Sequence, residues 1–349
     1  MRARAVAGTP AGPETFLAPP PFDNVVPVEP GIHWLRVRLP FALDHVNLWL
    51  LEDADGWTIV DTGVADDATR AVWEAVLGGF LGGRRVARVL ITHFHPDHFG
   101  LATWLAERTG APVLMSRTEW LTGRMLQLDD TAEAAQAIDE HYRKAGMSEE
   151  IRAAQRRRGS SYRRGVPSTP AAHLVLEAGQ ELTLAGGRWR VIVGEGHAPE
   201  QVTLFSPERR LLIAADQILP RISPVVGVWA SSPDADPLGE FLRSLDRYRD
   251  LPDDTRVLPS HDAPFRNLHA RLDGLAAHHE ERLALALEAC REPATAAAVL
   301  RRLFTRAHYD AHQTGFALAE TLAHLNRLWR QGEVERWTDE AGVWRYARR

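Results

Sequence analysis

The string His93-Phe94-His95-Pro96-Asp97-His98 constrains this chain more than any other stretch. It follows RVARVLITH, whose apolar run (Val86, Val89, Leu90, Ile91) reads as a buried strand, and it precedes GLATWLAERTG, which reads as a helix. Histidines at i and i+2 leaving a strand end can face one side and share a cation. Asp97 and His98 then turn the corner toward a second position nearby. Neutral imidazole and carboxylate suit zinc, iron or manganese. A soft-metal site would want thiolates, and the single cysteine, Cys290, is remote. Only 15 of 349 residues are histidine, so three within six positions is improbable by chance.

Three later positions share that context. His197 follows VIVGEG, Asp216 closes LLIAAD and His261 follows RVLPS. Each is a polar residue ending an apolar strand, in the loop where strand-edge sites are built. With the first string they supply five histidines and two aspartates, enough for two metals sharing a carboxylate.

Strand and helix patterns alternate around these positions, which predicts α/β layers. Residues 1–30, rich in Pro, Gly and Ala, read as a flexible arm. The segment 66–80 has helical spacing, with Asp66 or Asp67 placed to cap it. A polar helical insertion over 117–165 interrupts the rhythm and carries the arginine run 156–158. Strands return through RLLIAADQI, and after His261 the pattern becomes helical over 265–291, 294–305 and 315–331. VERWTD, a turn and VWRYARR then read as a terminal hairpin. The expected division is an arm (1–30), a catalytic domain (31–265) and a C-terminal domain (266–349).

Composition narrows the function. The chain is 45% apolar, so disorder is excluded, and one cysteine excludes an intrachain disulfide. The net charge of -5 (41 Lys+Arg against 46 Asp+Glu) gives no footprint for wholesale nucleic-acid binding. No apolar stretch approaches the roughly 18 residues of a membrane span, and the first residues build no signal-peptide core, so a cytoplasmic protein is expected. Lys144 is the only lysine and sits in a polar helical stretch, which argues against Schiff-base chemistry.

HFHPDH resembles the HxHxDH signature of the metallo-β-lactamase superfamily. Asp61–Gly63 (DTG), GEGH ending at His197, AAD at Asp216 and PSH at His261 are similar to its other motifs, in their usual order. The resemblance spans roughly residues 30–265. It implies a four-layer αββα sandwich with the site at one edge. It also implies one metal on His93, His95 and His197, and another on Asp97, His98 and His261. Asp216 would bridge them, and Asp61 would brace the ligand loop without binding metal. Zinc is the implied ion, with iron or manganese as alternatives. A bridging aspartate is similar to the glyoxalase II, lactonase and ribonuclease Z branches, and true β-lactamases lack it. The last motif departs from the usual Gly-His, because Ser260 precedes His261 and Asp262 follows it. The tail resembles the winged-helix extension of β-lactamase-like proteins 2, a family that includes an endoribonuclease and fungal thioesterases. That likeness rests on element order and on Gly332, Val334, Arg336, Gly342, Val343, Trp344 and Tyr346.

The resemblance implies attack by a metal-bridging hydroxide on a small-molecule ester, thioester or lactone, with Asp97 as the catalytic residue that orients it and takes its proton. The 117–165 insertion reads as a lid. Candidate substrate contacts are Trp120, Tyr162, Arg163, Arg164, Arg221, Trp229 and Arg266. A phosphodiesterase or ribonuclease is the alternative, and its mark would be a basic track along Arg156–Arg158, Arg163 and Arg164. A non-catalytic metal-dependent binding module is a third reading, disfavoured by the complete ligand set. A small molecule, and not nucleic acid or a membrane, is the expected partner. Trp337 and Trp344 fit either a homodimer surface or the tail's own core.

Overall fold

The computed structural model describes residues 12–40, 43–305 and 309–349. Strand β1 (Glu14–Thr15) opens it. A first sheet follows in chain order: β2 (Val25–Glu29), β3 (Ile32–Arg38), β4 (His45–Asp53), β5 (Gly56–Val60), β6 (Val86–Leu90), β7 (Val113–Met115) and β8 (Leu174–Val175). The second is built from β9 (Glu181–Leu184), β10 (Gly187–Gly194), β11 (Gln201–Ser206), β12 (Leu211–Ala215), β13 (Arg256–Pro259) and β14 (Phe265–Arg266), with β1 outside β14. Among the described residues these make two seven-stranded sheets, each ordered as the chain runs apart from β1. The pairs β5–β6 and β12–β13 are parallel. The strands that lead into the metal-ligand candidates therefore end on one edge.

The arm expected over 1–30 is corrected from residue 12 onward; residues 1–11 lie outside the described residues. Glu14 pairs with Arg266, and β2 pairs with β3 along the rim of the first sheet. The sequence of β2, VVPVE, is apolar enough to pair, and Pro27 is tolerated because β2 is an edge strand. Phe16 and Leu17 pack on the apolar layer between the sheets.

Period-two alternation divides the core. Along β4, Val46, Leu48 and Leu50 face a layer with Trp73 and Leu105, while Trp49 and Leu51 face the second sheet's Trp189, Val191 and Leu204. Helices α1 (Asp67–Ala75), α2 (Pro96–Phe99) and α3 (Ala102–Thr109) belong to the first half. Asp66 caps α1 by accepting from the Thr69 N–H. The helix expected to reach residue 80 ends instead in a π-helical turn, Val76–Phe80, which contains Gly78 and Gly79. The insertion forms α4 (Arg117–Leu128), α5 (Ala132–Lys144), α6 (Glu149–Arg158) and α7 (Ser161–Gly165), and α8 (Pro237–Arg249) packs on the outer face of the second sheet.

The tail supplies α9 (Leu268–Ala289), α10 (Ala296–Leu303), α11 (Ala311–Gln331) and the hairpin β15 (Val334–Thr338) with β16 (Trp344–Arg348). Helix α11 starts at Ala311, earlier than its periodicity suggested, because Asp310 and Gln313 close a capping box. Trp344 is buried in core, whereas Trp337 is exposed. The tail has no core of its own: Leu212 and Val257 of the second sheet, Phe241 of α8, Leu272 and Leu275 of α9, and Leu322 and Leu325 of α11 pack in one cluster. Lifting the tail away would expose its own Leu272, Leu275, Leu322 and Leu325, each fully buried and worth roughly 2 kcal/mol. No described helix is long and apolar enough to cross a membrane.

Where α9 and α11 meet, burial lowers His279 to about 3 and His324 to about 4, and His278 and Arg282 push the same way. The unfolded chain protonates both histidines below about pH 6.5, while the folded chain keeps them neutral. Each therefore removes roughly 1 kcal/mol of stability per pH unit as pH falls from 6.5 toward 4. The buried Glu320 carboxyl, raised to about 7 by burial, opposes this with one group against two. A His324→Gln chain should lose less Tm between pH 6.5 and 5 than the unaltered chain. Equal losses in thermal melts would contradict this reading.

Candidate metal centre

At the shared strand edge the chain leaves β5 into Asp61, β6 into 93–98, β10 into His197, β12 into Asp216 and β13 into His261. Three non-glycine residues at this edge have strained backbone. Asp61 (φ 64°), Ala215 (φ 48°) and Asp262 (φ 63°) are all left-handed, at a cost of about 1–3 kcal/mol each. Gly100 is required because a Cβ there would lie 2.5 Å from Pro96 O and 2.6 Å from Gly63 O. Pro96 opens α2, so Asp97 and His98 fall in its first turn.

These loops bring the seven ligand candidates into two groups, His93, His95, His197 and Asp216, and Asp97, His98 and His261. In the first, His93 Nε2 lies 3.0 Å from His95 Nδ1 and 3.3 Å from His197 Nε2. In the second, Asp97 Oδ2 lies 3.5 Å from His98 Nε2 and 3.4 Å from His261 Nε2. Asp216 stands between them. Its Oδ2 is 3.4 Å from His197 Nε2, and its Oδ1 is 3.4 Å from both His98 Nε2 and His261 Nε2.

The outer nitrogens fix the tautomers. His197 Nδ1 donates to Val225 O at 2.7 Å, and His261 Nδ1 donates to His45 O at 2.7 Å. His98 Nδ1 donates to Asp61 Oδ2 at 2.8 Å. Thr92 Oγ1 donates to Asp61 Oδ2, so it accepts from His93 Nδ1 at 3.0 Å. Four imidazoles thus turn Nε2 inward, each held by an outer partner as in known metal sites. In the first group, the inward lone pairs of His93 Nε2 and His197 Nε2, 3.3 Å apart, are mutually repulsive unless a cation lies between them. His98 Nε2 and Asp216 Oδ1 are buried and without a hydrogen-bond partner. The donor set, the fixed tautomers and these orphaned atoms fit two divalent cations.

Electrostatics agree. Burial and the neighbouring imidazoles push His93 well below its ordinary value, and burial with His197 takes His95 down to about 3. Burial also opposes charge on His261, yet Asp216 and Asp97 outweigh it and raise it to about 10. His98 is likewise raised against burial, by Asp97, Asp216 and Asp61. The field that draws protons onto these two histidines also draws metal cations, so the two compete.

Asp61 accepts from Thr92 N at 2.8 Å besides Thr92 Oγ1 and His98 Nδ1, and so links His98 through Thr92 to His93. Three supporting residues escape sequence reading. Asn47 on β4 donates to Pro259 O at 2.8 Å and Asp262 O at 2.7 Å, holding the His261 loop from the opposite sheet. His45 Nε2 accepts from Asp262 N at 2.7 Å. An asparagine inside VNLWLL is the signal that could have pointed to the first. Glu119 on α4, fully buried, accepts from Phe94 N at 2.9 Å and Glu200 N at 2.6 Å, tying the first ligand string to the loop after His197. Burial raises its carboxyl to about 8 against the pull of both N–H groups.

The substrate-contact candidates mostly have partners within the chain. Tyr162 donates to Phe94 O at 2.8 Å, Trp120 donates to Pro170 O and stacks on His173, and Arg266 lies over the Phe16 ring. Arg221 pairs with Asp262 at 2.7 Å, beside His261. Arg163 pairs with Asp130, and Arg164 donates to Arg158 O and Ser160 O. Trp229 is 42% exposed and packs edge-on against Phe316.

The metallo-beta-lactamase superfamily profile matches residues 42–261, and the profile of the metallo-beta-lactamase-like C-terminal domain matches residues 283–349. A beta-lactamase domain protein from Burkholderia ambifaria is 42% identical, with a TM-score of 0.89 over 95% of this chain and 96% of that one. A probable metallo-hydrolase from Bacillus subtilis (strain 168) is 24% identical over 84% of this chain and 91% of its own. A hydroxyacylglutathione hydrolase from Idiomarina loihiensis is 22% identical over 68% of this chain and 70% of its own. With the ligand strings at the shared strand edge and this extent of similarity, the chain belongs to the metallo-beta-lactamase superfamily.

Proposed function

We propose that the chain is a dinuclear metal-dependent hydrolase of a small-molecule ester, thioester or lactone, with zinc as its metal and iron or manganese as alternatives. The observation that carries this reading is Asp216, whose two oxygens face two separate ligand groups. Divalent cations held there lower the pKa of bound water to about 7 and polarise a carbonyl. His93, His95, His197 and one Asp216 oxygen would hold the first, and Asp97, His98, His261 and the other oxygen the second. Asp97, less deeply buried than Asp216, orients the attacking water and takes its proton. Arg221 stands at the rim, where it can meet an anionic group of the substrate at the expense of its Asp262 pair.

Two observations favour carbonyl over phosphodiester substrates. Two arginines of the basic track that RNA would need are paired with carboxylates: Arg156 with Asp139 and Glu149, and Arg163 with Asp130. The similarity to a hydroxyacylglutathione hydrolase points to an acyl group. The test is a panel of an acyl thioester, a lactone, an aryl ester, a bis-aryl phosphodiester and a short RNA. Turnover of the carbonyl esters, reduced at least ~10²-fold in an Asp97→Asn chain, is expected. Turnover of the phosphodiester or RNA alone would overturn the reading.

A further inference from the structure

Between β12 and α8 the chain runs from Gln217 to Asp236 without a helix or strand. This loop contains Val225, whose carbonyl accepts from His197 Nδ1 and so fixes which nitrogen that histidine turns inward. A loop of this length has many alternatives, and holding one of them needs partners along its course.

Those partners come from the tail. Arg271 on α9 donates to Leu219 O and, at 2.7 Å, to Ile222 O. Val228 N donates to Ala319 O of α11 at 3.0 Å. Asn326 donates to Pro233 O at 3.0 Å and Ala235 O at 2.9 Å, and Arg327 pairs with Asp236 at 3.0 Å. Arg330 donates to Asp234 O, and Arg336 pairs with the Asp234 side chain at 2.6 Å. Gly227 lies so close to α11 that a Cβ there would sit 2.9 Å from Ala319 Cβ.

A polar chain with a fixed direction reaches the centre of the loop. His324 Nδ1 donates to Glu320 O at 2.7 Å, which leaves its Nε2 to accept from His279 Nδ1 at 3.3 Å. His279 Nε2 is then an acceptor, and it faces the Ser223 hydroxyl at 3.1 Å, two residues before Val225; that hydroxyl also lies 3.2 Å from Pro224 O. Both histidines are fully buried.

We propose that the C-terminal extension is a positioning module for the metal centre: α9 and α11 mould the 217–236 loop so that Val225 O orients His197. The extension's arginines face the loop's carbonyls and carboxylates, which is the arrangement of a scaffold and not of a nucleic-acid surface. Ser223, Arg271, His279, His324 and Asn326 are positioning residues. This rests on His197 being a metal ligand.

The test compares the full chain with an Arg271→Met/Ser223→Ala chain, with the Ser223→Ala chain as a milder companion should the double substitution fail to fold. Amide exchange across 219–228 is measured first on metal-free protein, where the Val228 N–H is expected to exchange faster in the variant. Zinc affinity is then measured by chelator competition. One of two ions should weaken 10–100-fold, the range for losing an outer partner of a ligand, while the other is unchanged. Arg271→Lys with Ser223 retained should recover part of the loss. Faster loop exchange with both ions held as tightly as before would overturn the proposal. Fewer than two ions in the unaltered chain would instead overturn the metal assignment on which it rests.

Discussion

An Asp216→Ala chain is expected to hold at most one metal ion and to lose ester turnover by ~10³-fold or more. The carboxylate is the one group that faces both ligand sets, with His197 on one oxygen and His98 and His261 on the other. Without it, each set keeps three donors, but nothing negative separates two divalent charges. The loss of several kcal/mol of electrostatic stabilisation corresponds to that fall in rate. Elemental analysis with a thioester assay checks it, and circular dichroism shows that the fold is retained. Two ions and full turnover in the variant would contradict the bridging role.

Glu119→Gln is the second large effect, although the substitution is nearly isosteric. Both carboxyl oxygens accept backbone N–H groups, from Phe94 and from Glu200. An amide has one oxygen, so its NH2 must face one of those donors. A buried N–H is left unpaired beside another donor, at a cost of roughly 1–3 kcal/mol. Relief requires the 93–98 string or the loop after His197 to move, and either motion displaces a histidine of the first group. The expected result is a Tm lower by several degrees and metal affinity reduced 10–100-fold in chelator competition. A Glu119→Gln chain matching the original in both would remove Glu119 from the account.

These two residues also mark what was legible in the sequence. Asp216 was legible because it ends an apolar strand within a series of strand-end polar residues, and such local context survives in one dimension. The strands leading to the site were foreshadowed in the same way, by apolar runs such as the one holding Val86, Val89, Leu90 and Ile91. Glu119 was not legible: a glutamate in the first turn of a polar helix reads as a solvated charge near the helix N-terminus, and only the packing of α4 on two distant loops makes it a strap. Asn47 and His45 are alike in this, since each acts on the His261 loop more than 200 positions away. The arm was misread for a related reason, because edge strands such as VVPVE are short and stabilised by the neighbour they pair with. Tyr162 shows the same limit: only the packed insertion reveals that its hydroxyl donates to Phe94 O.

The central claim is that one carboxylate joins two metal sites in a hydrolase of carbonyl esters. Counting metals in the purified chain, before and after chelation and alongside thioester turnover, tests it most directly. Two ions per chain are expected, with turnover lost on chelation and restored by adding divalent metal. One ion or none in fully active protein, or turnover that survives complete metal removal, would contradict it.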